Sequence, residues 1–195
     1  MLNDTSTPLS LLETRRSGRP REMVPPGPTD DELQRMLEIA MRVPDHGKLS
    51  PWRFVVVGKQ QREELAGLLR RALEQEDPGA GPAHYEKADQ FARQGQALVV
   101  LVSAPIPDHK IPVWEQELSA GAAAMNLLHA AHALGYVAGW ITGWQAYSRM
   151  VNAAFAGPGE RIAGFIFIGS PGRELEERPR PDPAQIVQRW KPPSD

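Results

Sequence analysis

The segment ALVVLVSA, residues 97–104, decides the fold class. It is apolar at odd and even positions alike, rich in β-branched residues and too short for a core helix. It therefore reads as a strand buried on both faces. IAGFIFIG (162–169) repeats the pattern, and RFVVVG (53–58) and YVAGWITG (136–143) supply two more strands. Strands of this kind need helices on each side, which gives a three-layer arrangement of the α/β or α+β class.

The helices fall between the strands. Residues 7–16 form a short one, with Thr7 as cap, Pro8 at the first position and Leu9 and Leu12 on one face. A second opens at TDDE, where Thr29 and Glu32 form a capping box. Its apolar stripe is Leu33, Met36, Leu37, Ala40 and Met41, and Pro44 stops it. A charged helix covers 59–77, a weaker one 84–95 and a short one 147–156. The longest, WEQELSAGAAAMNLLHAAHALG (114–135), is closed by Gly135 and is small on every side around 119–124. Such a helix lies in a central core, at a dimer interface or beneath a flat ligand. SGRPREMVPPGP (17–28) is a loop. A single domain spans 1–195, and the proline-rich stretch 172–195, with Ile186, Val187 and Trp190, reads as an arm that wraps a partner subunit.

Composition removes several function classes. A formal net charge of −2 gives no electrostatic reason to bind nucleic acid or an anionic membrane. With no cysteine there is no disulfide, thiolate nucleophile or cysteine-held metal. The N-terminal run is acidic and polar where a signal peptide needs a basic start, and no apolar run is long enough to span a bilayer. The expected location is the cytoplasm. His129 and His132 stand i, i+3 on a helix without a third ligand, so no metal is expected. No G-x-S-x-G elbow is present, and Gly135, Gly139 and Gly143 straddle a strand instead of opening a helix.

What remains is a scatter of positions suited to anions and flat ligands. Arg15, Arg16 and Ser17 stand at a helix end, where two guanidinium forks suit a phosphate. The helix macrodipole alone would also favour arginine there. At about 100° per residue, Arg42 falls opposite the apolar stripe of its helix and points outward beside PDHGK.

Four segments in order resemble the FMN-dependent nitroreductase family over residues 9–171. They are RRS, P-x-x-x-x-x-x-PW before an apolar strand, GAAAMNLLHAAHALG and GWITG. MRVPDHGKLSPW and WEQELSAG are most similar to its short bacterial NAD(P)H nitroreductase branch, the YdjA-like one. The resemblance implies an α+β three-layer sandwich, with a central, mainly antiparallel sheet covered by helices, in an intertwined homodimer with FMN at the interface. It implies FMN contacts from Arg15, Arg16 and Ser17 of one subunit and from Arg42 and His46 of the other. It runs Trp140, Ile141, Thr142 and Gly143 past the isoalloxazine. Nicotinamide contacts would come from Ala130, Ala131, His132, Ala133, Leu134 and Gly135, and further phosphate contacts from Arg173, Arg178 or Arg180.

The chain departs from the family pattern in two places. Where the family usually has N-x-Q-P-W, K-L-S-P-W stands here, so Lys48 replaces an Asn and Ser50 a Gln. A Lys at that place suits negative charge on the reduced flavin. Ile141 stands where the short branch has an Arg, with Arg53 or Arg149 as candidates to compensate. The implied activity takes hydride from NADH or NADPH and passes electrons, by a ping-pong mechanism, to a nitroaromatic, a quinone or another small electron-poor acceptor. The flavin carries that chemistry without a catalytic side chain. The alternatives are an FMN-storage dimer without activity, or other flavin chemistry such as dehalogenation or dehydrogenation.

Overall fold

The structure is a computed structural model that describes residues 1–193. The elements run α1 (Pro8–Thr14), β1 (Met23–Val24), α2 (Asp30–Ala40), β2 (Trp52–Val56), α3 (Arg62–Glu76), α4 (Pro82–Arg93) and β3 (Ala97–Ser103). After these come α5 (Val113–Ala133), β4 (Val137–Ile141), α6 (Arg149–Phe155), β5 (Arg161–Pro171) and the single turn α7 (Pro183–Ile186). Every pairing among them is antiparallel, and the sheet runs β2-β3-β5-β4, with β1 on the last two residues of β5. The class is α+β, which removes the α/β option.

The two central strands are buried on both faces, as their composition demands. Leu98, Val100, Val102, Phe165 and Phe167 pack with α3, α4 and α6, while Val99, Leu101, Ile166 and Ile168 pack with α2 and α5. Each fully buried side chain of this size contributes roughly 1.5–3 kcal/mol. Phe91 of α4 meets Phe165 and Phe167 edge-on at 5.1 and 5.2 Å, the preferred aromatic geometry. The Thr29–Glu32 capping box opens α2, and Gly135, with φ of 86°, closes the turn after α5.

Several expectations are corrected. RFVVVG is not a buried strand: β2 is the sheet's edge, so Arg53 and Val56 face solvent. In α1 the buried residue is Leu11, and Leu9 and Leu12 are exposed. The loop 17–28 contains β1, too short for its alternation to be seen in sequence and formed only by pairing with Ser170 and Pro171. α2 stops at Ala40, so Arg42 lies beyond the helix and owes its exposure to the following loop instead of a helical wheel. In the arm, Ile186, Val187 and Trp190 are exposed, and residues 194–195 lie outside the described ones.

Candidate functional site

Strand β4 is the bench on which the site is built. After α1 the backbone turns extended at Arg15, and Gly18 then donates its N–H to the Ala138 carbonyl at 3.1 Å. This lays residues 15–17 along the free edge of β4. A Cβ on Gly139 would stand 2.6 Å from the Gly18 oxygen, so only glycine permits the approach. The chain beyond β5 returns over the same place. Arg16 Nε donates to the Glu176 carbonyl at 2.8 Å, and Arg180 Nη2 donates to the Arg15 carbonyl at 3.1 Å.

These contacts gather positive charge. Arg15 donates to Ser17 Oγ at 3.2 Å and has no carboxylate partner among the described residues. Burial, and then the charges of Arg180, Arg16 and Arg178, hold its guanidinium below the usual arginine range, with Glu177 opposing them. An anion placed among these groups would relieve that repulsion. Arg173 lies at the same end but is paired with Glu22 at 3.3 Å and Glu176 at 2.6 Å.

At the far end of β4 the backbone opens. Trp140 donates from its indole to the Ala163 carbonyl at 3.0 Å, and its ring crosses Gly164, where a Cβ would lie 2.0 Å from Nε1. Ile141 packs against the cluster formed with α3 and α4, so it offers no polar replacement for an arginine. Arg53 does not compensate for it: β2 is the opposite edge of the sheet, and Arg53 is bound to Glu160. Arg149 opens α6. Gly143 takes φ of 60°, and the N–H groups of Thr142 and Gly143 have no hydrogen-bond partner among the described residues.

The loop 42–52 lies along α5. Asn126 Nδ2 donates to the Arg42 carbonyl at 3.3 Å, and Ser119 Oγ donates to that of Pro44 at 2.8 Å while accepting from the Trp52 indole at 3.1 Å. The Asp45 carboxylate accepts the N–H groups of Leu49 and Ser50 at 3.1 and 2.8 Å. Those bonds hold Lys48 and Ser50 at φ of 58° and 49°, which non-glycine residues seldom adopt. His46 Nδ1 meets Glu115 Oε2 at 2.7 Å, both side chains exposed. The cationic ends of Arg42 and Lys48 have no partner among the described residues. Glu115 opens α5, whereas the charge of Arg15 is felt by His132 at its other end. Seventeen residues at about 1.5 Å each separate the two by roughly 25 Å. A single chain therefore does not bring His46 to residues 15–17.

His132 is 1% exposed, and its Nε2 accepts the Ala138 N–H at 3.2 Å. Burial, with the charge of Arg15 second, depresses it to about 4, so it is neutral at pH 7. Ala130 and Ala131 are buried against the sheet beside it. Of the expected nicotinamide stretch only Ala133, Leu134 and Gly135 reach the surface, because the preceding turn is core. Among the described residues no three potential metal ligands cluster. Sequence reading noted the small residues of α5 but missed the apolar ones that flank them: Trp114, Leu118, Gly121, Ala122 and Met125 form an incompletely covered stripe, and Trp114 and Leu118 are exposed. Its i, i+4, i+7, i+8, i+11 spacing was the available signal.

A model of the nitroreductase family, described as "Nitroreductase family", matches residues 12–170. YdjA of Escherichia coli K12, provisionally assigned as an NAD(P)H nitroreductase, is 33% identical over 181 residues, covering 92% of this chain and 97% of its own. Among solved structures, a nitroreductase-like family protein from Bacillus cereus superposes with a TM-score of 0.81 at 20% identity, over 94% of this chain and 95% of that one. A Bacteroides fragilis nitroreductase with bound FMN superposes with a TM-score of 0.67 at 19% identity, over 94% and 98%.

Proposed function

Since the chain belongs to the nitroreductase family, we propose that it is an FMN-dependent oxidoreductase drawing electrons from NADH or NADPH. The supporting observation is the group of Arg16, Arg178 and Arg180 around Arg15, which has no carboxylate partner among the described residues, at one end of a strand whose other end presents N–H groups without a partner among those residues. The first is suited to the FMN phosphate. The second, at Thr142 and Gly143, is suited to the polar edge of a flat ring lying along β4. Bound there, FMN would supply reversible two-electron chemistry, accepting hydride and passing electrons to a nitroaromatic, a quinone or a similar electron-poor acceptor.

The side chains orient, and they set charge. Arg15, Arg16, Ser17 and Arg180 hold the phosphate, with Arg173 at the rim. Arg42, His46 and Lys48 reach the same ligand from a second copy; for His46, its place at the start of α5 keeps it from residues 15–17 of its own chain. The half-open stripe at Trp114, Leu118, Gly121, Ala122 and Met125 supports that dimer, since close helix approach needs small residues flanked by apolar ones. The exposed Ile186, Val187 and Trp190 give the arm an apolar surface for the partner. Trp140 floors the ring site, and the Lys48 ammonium favours negative charge on the reduced ring.

Initial rates of NAD(P)H oxidation, with donor and nitroaromatic or quinone both varied, test the mechanism. Parallel double-reciprocal lines are expected for a shared slot used in turn. Intersecting lines contradict it.

A further inference from the structure

We propose that Asn3 is a positioning residue for the phosphate clamp, an inference that rests on the flavin reading above. Its side chain grips both backbone groups of Arg16: Nδ2 donates to the Arg16 carbonyl at 3.0 Å, and Oδ1 accepts the Arg16 N–H at 2.7 Å. The backbone of the same segment is tied down too. Asn3 N–H goes to the Thr14 carbonyl at 3.0 Å and Asp4 N–H to Thr14 Oγ1 at 2.9 Å. Asn3 itself takes φ of 54°, a left-handed conformation that Asn tolerates better than most residues. A carboxamide meeting one residue's N–H and C=O reproduces the pairing of a neighbouring strand, here made by one side chain.

The consequence is geometric. Residues 15–17 leave α1 without regular structure; β4 holds them on their far side, through Gly18 and Ala138, and Arg180 reaches the Arg15 carbonyl from the arm. Asn3 supplies the near-side pin at Arg16, with Arg15 and Ser17 on either side of it. Fixing the peptide at both ends removes backbone freedom that phosphate binding would otherwise have to quench. Asn3 lies before the stretch that the family model matches.

The test compares Asn3→Gly with the unmodified full chain. Glycine deletes the amide yet keeps the left-handed backbone without strain, which alanine would not. Both proteins, stripped of flavin, are titrated with FMN and with riboflavin, which lacks the phosphate, and their melting temperatures are measured. Without the pin the phosphate must itself order residues 15–17, and quenching about one residue's backbone freedom predicts about tenfold weaker FMN binding. Riboflavin affinity should not change, while the melting temperature falls modestly, because the two hydrogen bonds are present before any flavin binds. Equal affinity for FMN in the two proteins overturns the proposal, as does an equal loss for both flavins, which marks a general structural role. If the unmodified chain binds neither flavin, the flavin reading fails first and takes this inference with it.

Discussion

Lys48 stands on a strained turn, its ammonium without a partner among the described residues, where the family pattern has an amide. If it faces the pyrimidine end of a flavin, Lys48→Asn should lower the two-electron midpoint potential. A loss of about 1.4 kcal/mol of charge stabilisation corresponds to roughly 30 mV, readable by dye-linked titration. Arg42→Ala should weaken FMN binding about tenfold or more through loss of a charge-assisted contact, and an unchanged dissociation constant would refute the cross-subunit assignment. His132 gives a pH prediction whose sign is fixed. Its folded value is about 4 against an unfolded 6.5, so between those values the unfolded chain binds more protons. Stability should therefore fall as pH drops from about 6.5 toward 4, by up to about 3 kcal/mol. His132→Gln, with an acceptor still available for Ala138, should flatten that part of a chemical-denaturation profile; an unaltered slope counts against it. At this scale the sequence was informative about residue type and poor about partners. Arg15 and Arg16 stood out as candidates, because Arg-Arg-Ser at a helix end is a local pattern. That Asp45 would fold Lys48 into a left-handed turn, and that Glu176 and Arg180 would return to residues 15 and 16, depends on contacts far apart in sequence.

At the scale of elements, the junction of residues 15–18 with β4 carries the site. Gly139→Ala would force its Cβ against the Gly18 carbonyl, a backbone group that cannot rotate aside. Expected is about 1–3 kcal/mol of destabilisation and a larger proportional loss of flavin, measured by melting and by flavin content. The helix α5 carries the other element-level claim. Leu118→Glu would place a charge on a half-open apolar stripe, and sedimentation should show monomers that no longer retain FMN. A dimer that persists would move the interface elsewhere. Strands β3 and β5 were readable because burial on both faces leaves a continuous apolar run. β2 was misread for the same reason: an apolar run does not say whether another strand lies beside it. The end of α2 was misplaced because proline forbids helix only near itself, while the chain stopped earlier, at Ala40.

The whole molecule was legible as three layers before any contact was known, since two doubly buried strands require helices on both faces. Its assembly is a proposal. Proline and apolar residues in the arm, and small residues in α5, gave a sequence reason to expect a partner, and the fold adds a second reason to propose one. His46 and the arginine clamp sit at opposite ends of one long helix, and two copies running head to tail would bring them to a common ligand. The central claim is that this assembly binds FMN and passes electrons from NAD(P)H through it. The visible spectrum of the purified protein, recorded anaerobically before and after NAD(P)H and again after a nitroaromatic or quinone, tests it most directly. The account predicts a flavin band that bleaches on donor addition and returns with the acceptor; a protein that takes up no FMN, or whose bound FMN does not bleach with either nucleotide, would contradict it.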